Sequence, residues 1–252
     1  MNIGKIKSSL VGLAFIAFSV LVLVFYRDDE MAGRAAFSGL LIGIFLLFMR
    51  VSYDMPEQIS GRIMESTSAS LYGVLEGLNI KGKGIFMPPV GPVKDDKVFV
   101  PLHREPKSID LKRIYDKSTF VTDDLSRNFG VFLNSPGGRI IDLMERESGT
   151  EFDGMGAELI CETLKVLEGL DILSSFDASY DEGEVNISFS HSGLGDSCSR
   201  IREDFVGICN MSCCPICSSI LSSFARAEKR PLQIVEVERR NKVRIKARYL
   251  DI

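Results

Sequence analysis

Four of the six cysteines in this 252-residue chain fall in one short run, Cys209-Asn-Met-Ser-Cys-Cys-Pro-Ile-Cys217. Thiolates at this spacing can hold a metal. Cys209, Cys214 and Cys217 form the C-x4-C-x2-C run of a plant-type iron–sulfur cluster. Cys209, Cys213, Cys214 and Cys217 together are a candidate zinc set, although zinc sites usually draw on two separated pairs and no second pair is evident here. Cys214-Pro-Ile-Cys217 at a helix start is also a redox spacing, because the helix dipole lowers a thiol pKa there. The third reading is packing, since cysteine behaves as a small apolar residue. Cys213, Ile216, Cys217, Ile220, Leu221 and Phe224 recur as one buried helical stripe, with Ser212 as the cap and Pro215 in the first turn. Packing is the favoured reading, and metal and redox chemistry stand beside it.

Asn134-Ser-Pro-Gly-Gly-Arg139 follows a strand pattern and opens a helix. The backbone N–H groups of Gly137 and Gly138, helped by Arg139, form a candidate anion cradle, but the run lacks the spacing and lysine of a P-loop. A plain turn before a helix is the competing reading. The two histidines, His103 and His191, join no evident nucleophile set, so the chain reads as non-catalytic. The formal net charge of −4 lacks the basic excess of a nucleic-acid binder, and no nucleic-acid partner is expected.

These residues need elements to position them. Residues 10–26, LVGLAFIAFSVLVLVFY, and 35–49, AAFSGLLIGIFLLFM, carry no charge and predict a two-helix transmembrane hairpin over 1–51. A cleaved signal peptide is disfavoured, because the first run exceeds an ordinary h-region and no A-x-A site follows. Lys5, Lys7, Arg50 and Arg62 outside the spans, against Arg27 and Arg34 between them, put both termini in the cytoplasm. The cysteines would then stay reduced.

Residues 52–252 predict a cytoplasmic α+β domain, divisible into 52–150 and 151–252. The heptapeptide VLEGL[ND]I occurs at 74–80 and again at 166–172, each time closing a helical pattern ahead of a strand pair. A third helix, from 215 to about 229, also leads to one. The domain therefore reads as helix-plus-antiparallel-hairpin units, and the repeat as either duplication or shared capping chemistry. In the hairpin over 174–191 a loop at 181–184 pairs Tyr180 with Val185, Ala178 with Ile187 and Phe176 with Phe189. In the hairpin over 232–250 a loop at 239–241 pairs Glu238 with Lys242, Glu236 with Arg244 and Val237 with Val243, giving an apolar face and an acid–base ladder. Lys242, Arg244, Lys246 and Arg248 thus read as a solvated sheet face. Residues 138–149 predict a short helix stopped at Gly149.

The hairpin anchor, LEGLNIKGKGIFMPP (75–89) leading to VFVPL, FGVFLNSPGGRIIDLMERESG (129–149) and CPICSSILSSFARAEKRPLQIVEVE (214–238) together resemble an uncharacterised family of archaeal membrane-anchored proteins. That resemblance covers most of the chain and implies a membrane-tethered cytoplasmic domain. The closing region is also similar to the 4-vinyl-reductase small-ligand-binding domain, without the cysteine-rich ending that domain has after its hairpin. The expectation is a multi-pass cell-membrane protein whose domain binds a small molecule or a protein partner. The alternative is a thiol-based redox or metal sensor centred on Cys209 to Cys217.

Overall fold

The computed structural model describes residues 3–25, 30–48, 57–89, 94–102, 120–121, 130–192, 195–239 and 242–250. The chain divides into two units, Met1–Pro56 and Glu57–Ile252. The first holds helices α1 (Ile3–Phe25) and α2 (Glu30–Phe48), which pack against each other. Both helices begin several residues before the uncharged runs, and Arg34, expected as a flank of the second span, lies inside α2. Their side chains are distributed inside out. Phe15, Phe18, Leu21, Phe37 and Leu41 are exposed, while Ser19 and Ala36 are buried. A Cβ on Gly39 would lie 2.5 Å from Ser19 Oγ, so a small residue is required there.

The second unit contains α3 (Glu57–Gly77), β1 (Ile85–Met87), β2 (Lys97–Pro101), β3 (Phe120–Val121), β4 (Gly130–Asn134), α4 (Gly138–Ser148), α5 (Ala157–Thr163) and α6 (Val166–Gly169). It continues with β5 (Leu173–Asp181), β6 (Glu184–His191), α7 (Gly195–Asp204), α8 (Ile208–Met211), α9 (Pro215–Glu228), β7 (Leu232–Arg239) and β8 (Val243–Tyr249). Its strands form one sheet in the order β3-β4-β2-β1-β7-β8-β6-β5, antiparallel at every pairing. The expected division at 150 is not observed. β1 pairs with β7, and α4 packs on α9, so the two halves share one sheet and one core.

The repeated heptapeptide is a helix cap. At its first copy Ile80 N–H donates to Leu75 C=O at 2.9 Å; at its second Ile172 N–H donates to Leu167 C=O at 3.1 Å. Asn79 and Asp171 carry the left-handed backbone, at φ 53° and 59°. This is a Schellman motif built on Asn and Asp, residues that tolerate that conformation through their short polar side chains. The third unit ends alike, with Lys229 at φ 53° and Arg230 N–H donating to Ala225 C=O at 3.2 Å. The motif closes α3, α6 and α9, and β1, β5 and β7 follow in turn.

The β5–β6 hairpin has the expected register: Tyr180 faces Val185, Ala178 faces Ile187 and Phe176 faces Phe189. Its turn is Glu182-Gly183, with φ of 45° and 86°, the pattern of a two-residue type I′ turn. The β7–β8 hairpin departs from expectation by two residues. Glu238 faces Arg244, Glu236 faces Lys246 and Val237 faces Ile245, with an irregularity between Ile234 and Glu236. Arg239, expected in the loop, is instead the last residue of β7 and faces Val243, which moves every pairing by two; β8 also pairs with β6, where Ile245 faces Ile187. A slip of two preserves which face each side chain occupies, so the acid–base ladder survives with other partners. Lys246 also reaches Glu184 at 2.7 Å. Asn241 lies outside the described residues.

Helix α9 is the core element. Ile216 to Ala225 are all buried, along with Ala227. The expected single stripe becomes burial all round, because α9 contacts β1 and β7 and also α4 and α5. Ile220, Leu221 and Phe224 join the main apolar cluster, while the serines bond within the interior. Ser135 Oγ meets Ser218 Oγ at 2.7 Å and Ser222 Oγ at 2.8 Å. Ser219 and Ser223 donate to Ile216 C=O and Ser219 C=O. Among the described residues, 208–228 is the one helical run apolar and long enough to cross a membrane. It is broken between Met211 and Pro215 and buried in the core, so it serves as interior. The apolar stretches Leu13–Phe25 and Met31–Phe45 are shorter.

Candidate functional site

The cysteine run folds into the start of α9. Cys213 has φ of 60° and Cys214 is the N-cap, with Pro215 at the first helical position. Ser212 is therefore not the cap; its buried Oγ has no hydrogen-bond partner among the described residues. Cys213 Sγ donates to Cys209 C=O at 2.9 Å. Cys214 instead bonds to Cys198 of α7 and to Cys217, and His191 lies at the Cys198 end of this chain of thiols. Among the described residues no three His, Cys, Asp or Glu side chains are grouped as a metal would require. The zinc or iron–sulfur set of Cys209, Cys213, Cys214 and Cys217 is thus not assembled: Cys214 and Cys217 bond to each other, but Cys213 turns back to the Cys209 carbonyl instead of joining them.

The redox reading meets a similar obstacle. Burial pushes the Cys213 thiol well above its ordinary range. For Cys217 the hydrogen bond with Cys214 pulls down, but burial and neighbouring thiols outweigh it and lift the pKa to about 12. Cys198 is raised by its bond to Cys214 and by burial, against a smaller opposite effect of His191. Protonated, enclosed thiols are poor nucleophiles. The folded state keeps a proton on Cys217 that the unfolded chain releases above about pH 8.5. Stability is fully present below that pH and is lost as pH rises toward 12, by about 1.4 kcal/mol per pH unit per such thiol. Thermal melts at pH 8 and pH 10 should show this fall, and Cys217→Ala should make it shallower by about one thiol's share. An unchanged slope in that variant would contradict the buried-thiol account.

The glycine loop is not an anion cradle. Gly138 N–H donates to Ser135 C=O, and Ile140 and Ile141 N–H both reach Gly137 C=O. Gly137 N–H meets Ser218 Oγ at 3.3 Å. Arg139 is 94% exposed and pairs with Asp142 in its own helix. The donors that would hold an anion are spent within the fold.

Beside this loop lies a buried ion cluster that joins distant parts of the chain. Arg226 Nη1 donates to both Glu145 carboxylate oxygens, at 3.0 and 3.1 Å, and Nη2 bonds to Asp96. The side chains of Arg226, Asp96 and Glu145 are only 14%, 3% and 19% exposed. Glu145 also accepts Phe152 N–H at 2.8 Å. The three charges clamp α9, α4 and the start of β2 together.

The candidate binding site lies elsewhere, at the end of α3. A cleft of about 550 Å³ is lined by Tyr72, Glu76, Asn79, Ile80, Lys81, Val206, Asn210 and Met211. The Asn79 cap turns the chain so that Glu76 and Lys81 border one space. Tyr72 packs on Phe205 at 5.6 Å between ring centroids, and its Oη donates to Glu76 Oε1 at 3.4 Å. Gly84 N–H donates to Asn210 C=O at 2.8 Å, tying the cleft wall to the strand entry. Glu65 bonds to Arg200 Nε at 2.7 Å and holds α3 to α7. A shallower groove of about 310 Å³ crosses the polar face of β5, β6, β7 and β8. Sequence reasoning marked Glu76, Asn79 and Ile80 as part of the repeated heptapeptide, and Asn210 and Met211 as part of the cysteine run, but none of the cleft residues as a binding site; the i,i+4 pair Tyr72 and Glu76 is a further local signal. His103 lies outside the described residues.

In comparisons with known proteins, no family model, no curated protein and no solved structure matches this chain.

Proposed function

We propose that this chain is a membrane-anchored, non-catalytic binding protein. The α1–α2 hairpin holds the α+β unit at the inner face of the cell membrane, with both termini cytoplasmic, and the cleft at the end of α3 takes a small molecule. The observation that carries the anchoring is the reversed order of side chains in the hairpin, apolar outside and small inside. In water, exposed apolar surface costs about 25 cal/mol per Å². In hydrocarbon it costs nothing, and small interior residues let helix backbones approach. Helices of 23 and 19 residues extend about 35 and 28 Å; their apolar stretches, Leu13–Phe25 and Met31–Phe45, are shorter than a hydrocarbon core of about 30 Å, a mismatch that local bilayer thinning and snorkelling flanks accommodate.

A protein partner is the second reading. It is favoured by Ile59, Ile63, Val74 and Leu78, which leave an apolar row exposed on α3. Anchoring is tested by washing membranes that carry the full-length chain with alkaline carbonate. Nearly all of it should stay in the pellet, and a C-terminal tag should resist protease until the cells are opened. Release into the wash, or cleavage on intact cells, would overturn the proposal.

A further inference from the structure

We infer that the α3 cleft is built for a zwitterion of amino-acid size. Its ammonium group would sit at Glu76, its carboxylate at Lys81, and its apolar substituent over Ile80, Val206 and Met211. This rests on the small-molecule reading above. The cleft presents two opposite charges that are not spent on each other. Glu76 accepts a hydrogen bond from Tyr72, and among the described residues no carboxylate pairs with Lys81. The C-terminal end of α3 adds partial negative charge on the Glu76 side. The Asn79 and Asn210 amides, which line the same cleft, offer both donors and acceptors.

A ligand of one sign meets attraction at one wall and repulsion at the other, which selects against it. Only a molecule carrying both signs satisfies both walls. The apolar side is presented mainly by Val206. Val206 is 73% exposed beside the buried Ile80 and Met211, so a bound aliphatic group would cover it. A volume of about 550 Å³ falls in the range of small-ligand sites.

The test uses full-length protein in lipid nanodiscs and four probes of one shape: L-leucine, L-leucinamide, 4-methylpentanoate and isoamyl alcohol. Binding is read from the Met211 methyl resonance. L-leucine should bind about tenfold or more tightly than either single-charge congener, as one charge-assisted hydrogen bond implies. Glu76→Gln should erase the preference over 4-methylpentanoate, and Lys81→Met the preference over L-leucinamide. Both side chains are exposed, so unchanged melting temperatures will show that the variants fold. A single-charge congener that binds as well as L-leucine, or an order of affinities unmoved by both variants, would overturn the zwitterion and leave small-molecule binding standing. A Met211 signal unmoved by all four probes at millimolar concentration would overturn both.

Discussion

Arg226→Met should destabilise the α+β unit by about 3–5 kcal/mol, the cost of removing one partner from a buried ion cluster. The substitution keeps most of the side-chain volume but leaves Asp96 and Glu145 facing each other in the interior. Burial already pushes the Asp96 carboxyl up against the pull of Arg226, and Glu145 adds to the push. Without the guanidinium one or both carboxylates must take up a proton or draw in water. Most domains are stable by only 5–15 kcal/mol, so this loss would be visible in a urea or thermal melt of the full-length protein. Asp96→Asn/Glu145→Gln/Arg226→Met should recover much of it, since replacing a whole buried ion group is often neutral. A single variant melting within about 1 kcal/mol of the parent would show that the clamp contributes little.

The second large effect is expected at Gly137. A Cβ there would lie 2.1 Å from Ser219 N and 2.4 Å from Pro215 C=O. Both are backbone atoms of the core helix, so no side chain can rotate away. Gly137→Ala must push α4 from α9, a strain of about 3 kcal/mol or more, and it disturbs the Ser135–Ser218–Ser222 hydroxyl cluster. Gly149→Ala is the control. Gly149 has a left-handed φ of 68° but open space around it, so that change should cost only about 1–2 kcal/mol of backbone strain. Chemical denaturation of both variants separates the two mechanisms. Equal losses would mean that close helix approach is not what Gly137 provides.

The two glycines also show where sequence reasoning reaches and where it stops. Gly149 was legible as a helix stop, because capping depends on residues only a few positions apart. The same holds for the three helix-then-strand units, the β5–β6 register and the start of α9 near Pro215. Gly137 was legible as permissive but not as to why. Its partner is a helix some eighty residues later, and an anion loop and a close helix contact ask for the same local sequence. The cysteine run was ambiguous for the same reason, since small apolar packing and metal ligation use identical spacing. The contact of Cys214 with Cys198 depends on how α7 meets the start of α9.

Local chemistry by itself therefore determined the helix ends at the two heptapeptide copies and at Gly149, the β5–β6 hairpin and the uncharged N-terminal runs. Each follows from periodicity and short-range hydrogen bonding within one segment. Tertiary structure alone decided the strand order, the β7–β8 register, the burial of α9 on all sides, the Asp96–Arg226–Glu145 clamp and the cleft at the end of α3. Those features join residues separated by tens of positions. Their cause is the packing of whole elements against one another, which leaves no repeating mark along the chain.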